Sequence, residues 1–527
     1  MSNGKKEVSA VPRSHELVRW FDILAALLIC CGLVGIYTLS LDRSYFGYGT
    51  ETDYVGSMVL EAEKLIAGEA LASEFHPPGF IIAMAIGHFF KGDWFWVGKS
   101  LSIISFTLTM ITAYGMFRLI AGPLAGLGAI VGLLSSAVFL KYAMQTTSDV
   151  FYLALYYSTC LLAVYASVRK SFWLWLGVGI LIIISTMTRT NGITLLLLLA
   201  LPLFQSRGTD RIRLVAGCVA GLGFALLAFA VFAVATESNL MPAGTYHNIA
   251  ITYFTEERIS WEGMIEARSR FDSLADVLTH DPVTMAKSYI RDLLDIILRR
   301  IPLLAGPALA LLFLPGLLYT VGQHHRPLVG FFFVLTLAQL LLVNLKAFEA
   351  RYHLYFVPWI GVGALLSLSL IAERKDWAPK LRIPVLSMSV AIVLVGGLYA
   401  WTDTRRFAKL GGNPELARVL PIIQPIIGPN DVIVSRKSAH LAYYTGAASA
   451  WLPNVESEGE LQAALVSAQT KSGAKGGVFL FLGEVEKRMR PETVSLVSKG
   501  DTLPWLVEVT ESKAFPNWKL LHYRPQD

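Results

Sequence analysis

Long apolar runs separated by short polar connections fill roughly the first 400 residues of the chain. The runs are 23–41, 97–117, 123–142, 150–168, 172–187, 192–204, 214–235, 303–321, 328–345, 355–372 and 383–400. A helix needs about 20 apolar residues to cross the hydrocarbon core of a bilayer, so the pattern predicts about eleven spans, two of them short.

Four stretches break this pattern. Residues 76–90 are apolar but too short for a span and begin His76-Pro77-Pro78, which suits the first turn of a half-buried helix, where proline leaves no backbone donor unpaired. Within 53–66, Val55, Met58, Val59, Ala62 and Ile66 recur at helical spacing while Glu61, Glu63 and Lys64 fall on other faces, predicting an amphipathic helix suited to a membrane surface. Residues 237–300 form a long charged loop with helical stretches. From about Thr404 the composition turns soluble, and β-like runs at 431–435, 477–482 and 506–510 alternate with charged helical stretches. The expected fold class is therefore an all-α polytopic membrane bundle (residues 1–403) followed by a small soluble α/β domain (404–527). A first outer loop at about 42–96 and a long outer loop at about 236–302 interrupt the bundle.

Composition agrees with a lipid-solvated chain: 54% of residues are hydrophobic and only 16% charged, with mean hydropathy +0.53. An ordinary soluble domain carries nearer a quarter charged residues. The net charge of +6 does not point to nucleic acid, because basic residues in a membrane protein first mark cytoplasmic loops. If the N-terminal segment with Lys5, Lys6, Arg13 and Arg19 is cytoplasmic, the later inside connections carry Arg118, Arg169-Lys170, Arg207/Arg211/Arg213, Arg326 and Arg374/Lys375/Lys380/Arg382. Every short inside loop is then basic, and the C-terminal domain lies on the outer face. Cys30, Cys31, Cys160 and Cys218 all sit in apolar runs, so no disulfide framework or cysteine zinc site is expected in the soluble part.

Candidate chemistry appears where charge stands against that rule. Glu51, Asp53, Glu74, His76, Lys99, Lys141, Asp149, Arg189, Lys346 and Arg351 all fall at outer span ends or in outer loops. Lys and Arg gathered at one depth suit a bound phosphate, and acids among them suit proton transfer or a divalent cation. Each has a plainer reading. Thr50-x-x-Asp53 and Thr146-x-x-Asp149 resemble helix starts, His76 suits a turn, and Lys99 and Lys141 suit snorkelling to headgroups. Arg189, in Thr188-Arg189-Thr190-Asn191-Gly192 between two apolar runs, is harder to place without a partner. His247, Glu256, Glu257 and His280-Asp281 are too scattered for a metal site. No phosphate-binding glycine loop, His-Glu-x-x-His or Gly-x-Ser-x-Gly motif is present.

In order along the chain, these residues resemble the GT-C glycosyltransferases of family 39 type, which include protein O-mannosyltransferases and the lipid A aminoarabinose transferase. The resemblance rests on Tyr48-Gly-Thr-Glu-Thr-Asp53-Tyr54, Glu63-Lys-Leu-Ile-Ala-Gly68-Glu69, His76-Pro-Pro-Gly-Phe80 and Gly92-Asp93-Trp94 through Lys99. It continues in Thr147-Ser148-Asp149, Thr188-Arg189-Thr190-Asn191-Gly192 and Arg351-Tyr352 through Pro358. It implies inverting transfer of a hexosyl- or pentosyl-type sugar from a polyprenyl-phosphate donor to a glycan, lipid or protein acceptor. Asp53 would be the general base, with Glu51 close enough to share the role, and Asp149 a second acid holding the acceptor or a cation. Lys99, Arg189, Arg351 and, more weakly, His76 would bind the donor phosphate, with Tyr54, Asn191 and Tyr352 lining the site. No cofactor is implied beyond a divalent cation, magnesium or manganese, for which Asp53 and Asp149 would be the ligands.

A lipid or solute transporter or flippase also needs many spans and intramembrane charge, but transporters often show repeated halves and broken midplane helices. Here the unusual residues gather toward one face. The expected location is a prokaryotic plasma (inner) membrane, with membrane lipids and the lipid-linked donor as partners and no nucleic acid.

Overall fold

In the computed structural model of the chain, residues 15–46, 50–71, 76–205, 208–237, 245–255, 261–321, 327–345, 349–373, 379–409, 414–498, 503–509 and 518–524 are described. Tyr48, Glu74, Glu256, Glu257, Lys346 and several loop basic residues lie outside them. The chain forms two compact units: Met1–Ser40 with Lys64–Arg406, and Leu41–Glu63 with Phe407–Asp527.

The first unit is helical. Among the described residues seven helices are long and apolar enough to cross a membrane. They include α1 (His15–Leu41), α3 (Trp94–Ala121), α4 (Ser148–Arg169), α6 (Gly208–Ala235) and α7 (Pro327–Asn344), with α2 (Pro78–Lys91) and α5 (Phe172–Thr188) as shorter apolar helices between them. They continue with α8 (Val357–Glu373), headed by a 3-10 turn at Ala350–Phe356, and α9 (Pro379–Lys409). Two bent helix pairs, Pro123–Leu134 with Ala137–Ala143 at 72° and Pro282–Leu304 with Leu309–Tyr319 at 109°, have the length and composition of a broken span or a re-entrant loop. All eleven apolar runs read from the sequence are thus helical, and the short run at His76 is the predicted short helix. The chain is an integral membrane protein.

Local chemistry sets the helix ends. The Asp93 carboxylate accepts the Trp96 N–H at 2.9 Å and opens α3, Ser171 caps α5 in the same way, and α4 stops at Lys170 in left-handed backbone. Between helices the packing is glycine-mediated, as expected where lipid supplies no hydrophobic drive and close backbone approach must hold the bundle. A Cβ on Gly221 of α6 would lie 2.0 Å from the Leu176 carbonyl of α5, and one on Gly361 of α8 would lie 2.1 Å from the Gly128 carbonyl. Two basic residues already have intramolecular partners: Arg118 grips Asp22 of α1 through two contacts of 2.7 and 2.8 Å, and Lys141 pairs with Asp403 at 2.6 Å. The snorkelling role read for Lys141 is therefore replaced by an ion pair.

The second unit carries a five-stranded sheet of order β2-β1-β3-β5-β4, with β1 (Val432–Ser435), β2 (Ala448–Trp451), β3 (Val478–Leu482), β4 (Leu506–Glu508) and β5 (Lys519–Tyr523). β1 pairs in parallel with β2 and β3, and β5 runs antiparallel to β3 and β4. Alternation divides the two faces. Val432, Val434, Leu480 and Leu521 pack with Leu461 and Leu465 of α11 (Glu458–Ser472), while Ile433, Phe479, Phe481 and Leu520 pack with Leu441 of α10 (Ser438–Thr445) and with Leu416 and Leu420.

Segment 41–63 belongs by its contacts to this unit. Phe46 packs against Tyr54, Tyr443 and Tyr444, at ring-centroid distances of 5.6, 5.0 and 6.0 Å, and its N–H donates to the Tyr444 hydroxyl at 3.0 Å. The predicted amphipathic helix forms in three pieces: a helical turn at Thr50–Asp53, a π turn at Tyr54–Met58 and an α-helix at Val59–Ile66. Val55, Met58, Val59 and Ala62 are buried as the spacing required, but Ile66 is exposed.

Candidate active site

In the membrane unit the described charges gather where helices break. α5 ends at Arg189, whose backbone turns extended (φ −149°, ψ 130°), and a 3-10 helix runs on from Thr190 to Leu199. Gly192 makes that turn possible by close approach: a Cβ there would lie 2.7 Å from the Ser185 carbonyl carbon. Gly79 does the same for α2, where a Cβ would meet the Met187 carbonyl at 2.8 Å. The head of α2, with His76 half-buried just before it, is thereby seated at the end of α5 beside Arg189.

The Arg189 guanidinium forms an ion pair with Asp149 in the first turn of α4. Asp149 does not cap that helix. Thr147 does, accepting the Asp149 N–H at 3.4 Å, and this leaves the carboxylate to face the arginine. The Asp149 side chain is 6% exposed and that of Arg189 19%. Asp149 is thus the ion-pair partner of Arg189, and this contact engages one of its two carboxylate oxygens.

Tyr352 joins a second cation to this pair. Its ring lies 4.8 Å from the Arg189 guanidinium and 4.6 Å from that of Arg351, and Arg351 donates to the Tyr352 hydroxyl at 2.7 Å. Arg351 also lies 2.7 Å from a Glu349 carboxylate oxygen, and Tyr142 is within electrostatic reach of Arg351, Asp149 and Glu349. Two guanidinium groups thus share one tyrosine ring, with the Asp149 and Glu349 carboxylates as neighbours. Asn191 is buried in the first 3-10 turn, and its carbonyl accepts from Thr194, which also donates to Gln339 at 3.0 Å; Gln339 in turn donates to the Tyr152 hydroxyl at 2.9 Å.

Lys99 is fully buried in α3, its ammonium 4.4 Å from the Trp96 ring and 5.0 Å from the Phe95 ring. One turn on, the Ser102 hydroxyl donates to the Gln145 carbonyl at 2.6 Å, which ties this face of α3 to the loop that delivers Asp149.

The first-loop acids belong to the other unit and separate cleanly. Glu51 is fully buried in an ion pair with Arg43 at 2.5 Å, and both side chains are 0% exposed. The Arg43 guanidinium also lies 5.2 Å from the Phe407 ring. A carboxylate held in this way is a structural anchor, and sharing the base role does not fit it. Asp53 is exposed and lies in the helical turn that begins at Thr50, so a helix does start where Thr50-x-x-Asp53 predicts one, and its side chain makes no capping hydrogen bond to the π turn that follows. A π turn follows it directly, a device frequent at functional sites. Tyr54, expected to line a site, is instead fully buried against Phe46.

Sequence reasoning missed Glu349, Tyr142, Gln339 and, near Asp53, Lys437. Gln339, a polar residue in an otherwise apolar span, carried the one signal available. Among the described residues no three His, Cys, Asp or Glu side chains converge as metal ligands.

Residues 75–235, less than a third of the chain, match the family model of dolichyl-phosphate-mannose-protein mannosyltransferases. That segment holds His76, Lys99, Asp149, Arg189 and Asn191. Among curated protein sequences none matches this chain. In three dimensions it is similar to ArnT from Cupriavidus metallidurans bound to undecaprenyl phosphate, with TM-score 0.60, 13% identity, and coverage of 95% of this chain and 99% of that one. It is also similar to the apo oligosaccharyltransferase of Archaeoglobus fulgidus, with TM-score 0.54, 12% identity, and coverage of 88% and 70%. The oligosaccharyltransferase AglB of the same organism, in complex with an inhibitory peptide and a dolichol-phosphate, matches with TM-score 0.50, 10% identity, and coverage of 89% and 70%. At these identities the likeness is one of fold. The resemblance to GT-C glycosyltransferases read from the motifs thus holds at the level of fold, with a family match confined to residues 75–235.

Proposed function

We propose that this chain is a glycosyltransferase that moves a monosaccharide from a polyprenyl-phosphate donor to an acceptor hydroxyl or amine at the outer face of the membrane, with inversion. The carrying observation is the pair of guanidinium groups on Tyr352, seated at a helix break in a fold shared with a protein solved with undecaprenyl phosphate.

In this reading Arg189, Arg351, Lys99 and His76 hold the donor phosphate. The acceptor heteroatom attacks the anomeric carbon as the bond from that carbon to the phosphate oxygen breaks. Polyprenyl phosphate departs as an anion, stabilised by the guanidinium groups, and electrostatic terms of this kind are often the largest in catalysis. The acceptor proton passes to Asp53, a carboxylate being able to accept it once within hydrogen-bond reach. A single displacement of this kind inverts the anomeric centre. The incoming phosphate competes with Asp149 for Arg189, so Asp149 keeps the arginine extended and ordered until donor binds. The outward orientation of the site rests on the basic inside loops, and a prokaryotic plasma membrane is the membrane proposed.

The test is transfer of radiolabelled sugar from a panel of polyprenyl-phosphate sugars by purified protein in lipid, comparing wild type with Asp53→Asn. Transfer lost in the variant supports the reading and identifies the sugar. Folded wild-type protein that transfers from no lipid-linked donor refutes it, and lipid flux would then be measured.

A further inference from the structure

We propose that Lys437, at the head of α10 in the C-terminal unit, is a positioning residue for Asp53: its ammonium holds the turn that carries the carboxylate. The proposal rests on the reading of Asp53 as the base.

The lysine reaches that turn directly. Its Nζ donates to the Thr52 hydroxyl at 3.0 Å, and Thr52 adjoins Asp53 in one helical turn. Both sides of the contact are braced independently. On the lysine side, Lys437 N–H donates to Ser435 Oγ at 3.0 Å, and that hydroxyl donates to Glu486 at 2.7 Å. The same carboxylate oxygen accepts Arg436 N–H at 2.9 Å, and the other accepts Gly483 N–H at 2.9 Å. A buried glutamate with three donors thus fixes the strand end from which Lys437 projects. On the acid's side, the rings of Phe46, Tyr54, Tyr443 and Tyr444 clamp the segment onto α10, and Gly56 comes close enough to Ala439 that a Cβ there would lie at 3.3 Å. Exposed chains that meet by chance show no such bracing from two directions.

Among the described residues the charged groups around the ammonium are Asp53 from the first-loop turn, Arg436 beside it in the chain, and Glu486 and Arg488 from α12 (Glu484–Met489). Burial, then Arg436, push the lysine down to about 8, against the pull of Asp53 and Glu486. A lysine lowered in this way is a cation below that value and neutral above it. Its attraction for Asp53 is therefore present at neutral pH and lost as pH rises through about 8. Proton transfer depends on sub-ångström placement of the base, so losing the hold lowers kcat more than donor KM.

Two experiments on the full-length protein in lipid test this. The first is competitive labelling of amines across pH, read at Lys437 by mass spectrometry, in wild type and Asp53→Asn. The labelling midpoint is expected to fall in the variant, because the attracting carboxylate is gone, and an unmoved midpoint overturns the proposal. This readout needs no turnover, so it stands apart from success or failure of the transfer assay. The second is the pH profile of transfer. Wild type is expected to lose activity above about pH 8, Lys437→Arg to keep activity and lose that alkaline limb, and Lys437→Met to lose roughly tenfold in kcat with donor KM little changed. An alkaline limb that persists in Lys437→Arg, or wild-type kcat in Lys437→Met, overturns it.

Discussion

The Asp149–Arg189 pair makes a prediction in which stability and affinity move in opposite directions. Its side chains are 6% and 19% exposed, so either single neutralisation leaves a mostly buried charge without its partner. Removing one member of a buried pair costs about 3–5 kcal/mol, and the partial exposure of Arg189 places the expected cost near the lower end. Neutralising both removes the stranded charge. The double variant Asp149→Asn/Arg189→Gln is therefore expected to lose less than the sum of the single losses, with a coupling of at least about 1 kcal/mol. Reversible unfolding by a denaturing detergent, in mixed micelles, gives the four free energies of the cycle. The phosphate should respond in the opposite sense. Asp149→Asn frees Arg189 from a charge-assisted hydrogen bond, so polyprenyl phosphate should bind about fivefold more tightly, or about 1 kcal/mol, although the protein is less stable. Effects that add within about 0.5 kcal/mol, together with unchanged phosphate affinity, would refute the view that the two groups form a resting anion site.

Further outcomes follow from single positions. Glu51→Gln should destabilise the protein by about 3 kcal/mol, because Arg43 is left buried and uncompensated, while the folded fraction keeps its rate per molecule; thermal unfolding and specific activity separate the two. Gly361→Val should abolish a monodisperse preparation in size-exclusion chromatography, since its Cβ would lie 2.1 Å from the Gly128 carbonyl and neither backbone can yield. Burial raises the Glu415 carboxyl above the usual range, so folding favours its protonated form, and wild type loses stability as pH rises from the ordinary glutamate value through the raised one. Glu415→Gln should therefore match wild type in acid and unfold at a higher temperature near about pH 8.

The apolar runs could be read as helices because hydrocarbon demands internally bonded backbone, which leaves the composition of each span little freedom. Strands β1, β3 and β4 were visible as β-branched or aromatic runs, whereas β2 was not: Ala448-Ser-Ala-Trp has no alternation and little β preference, and only pairing with β1 makes it a strand. That 41–63 belongs with the C-terminal unit was equally hidden, since it depends on contacts of Tyr45 and Phe46 with Tyr443 and Tyr444, nearly 400 residues away in the chain. Arg189 and Arg351 announced themselves as charge at a span end. Glu349 and Lys437 did not, because a charged residue in a polar stretch looks the same whether it faces water or a partner.

The π turn after Asp53 bears on direction. Five residues at Tyr54–Met58 occupy a wider turn than an α-helix allows, so positions before and after it are out of phase by comparison with one continuous helix. The extra residue acts as a rotational offset: the helix beyond it can bury Val59 and Ala62 while Asp53 stays exposed. Regular α winding over the same number of residues would swing the carboxylate by up to roughly 100° about the axis, with every side chain of the site still present. Aim, in this segment, is encoded by a count of residues as much as by their identity.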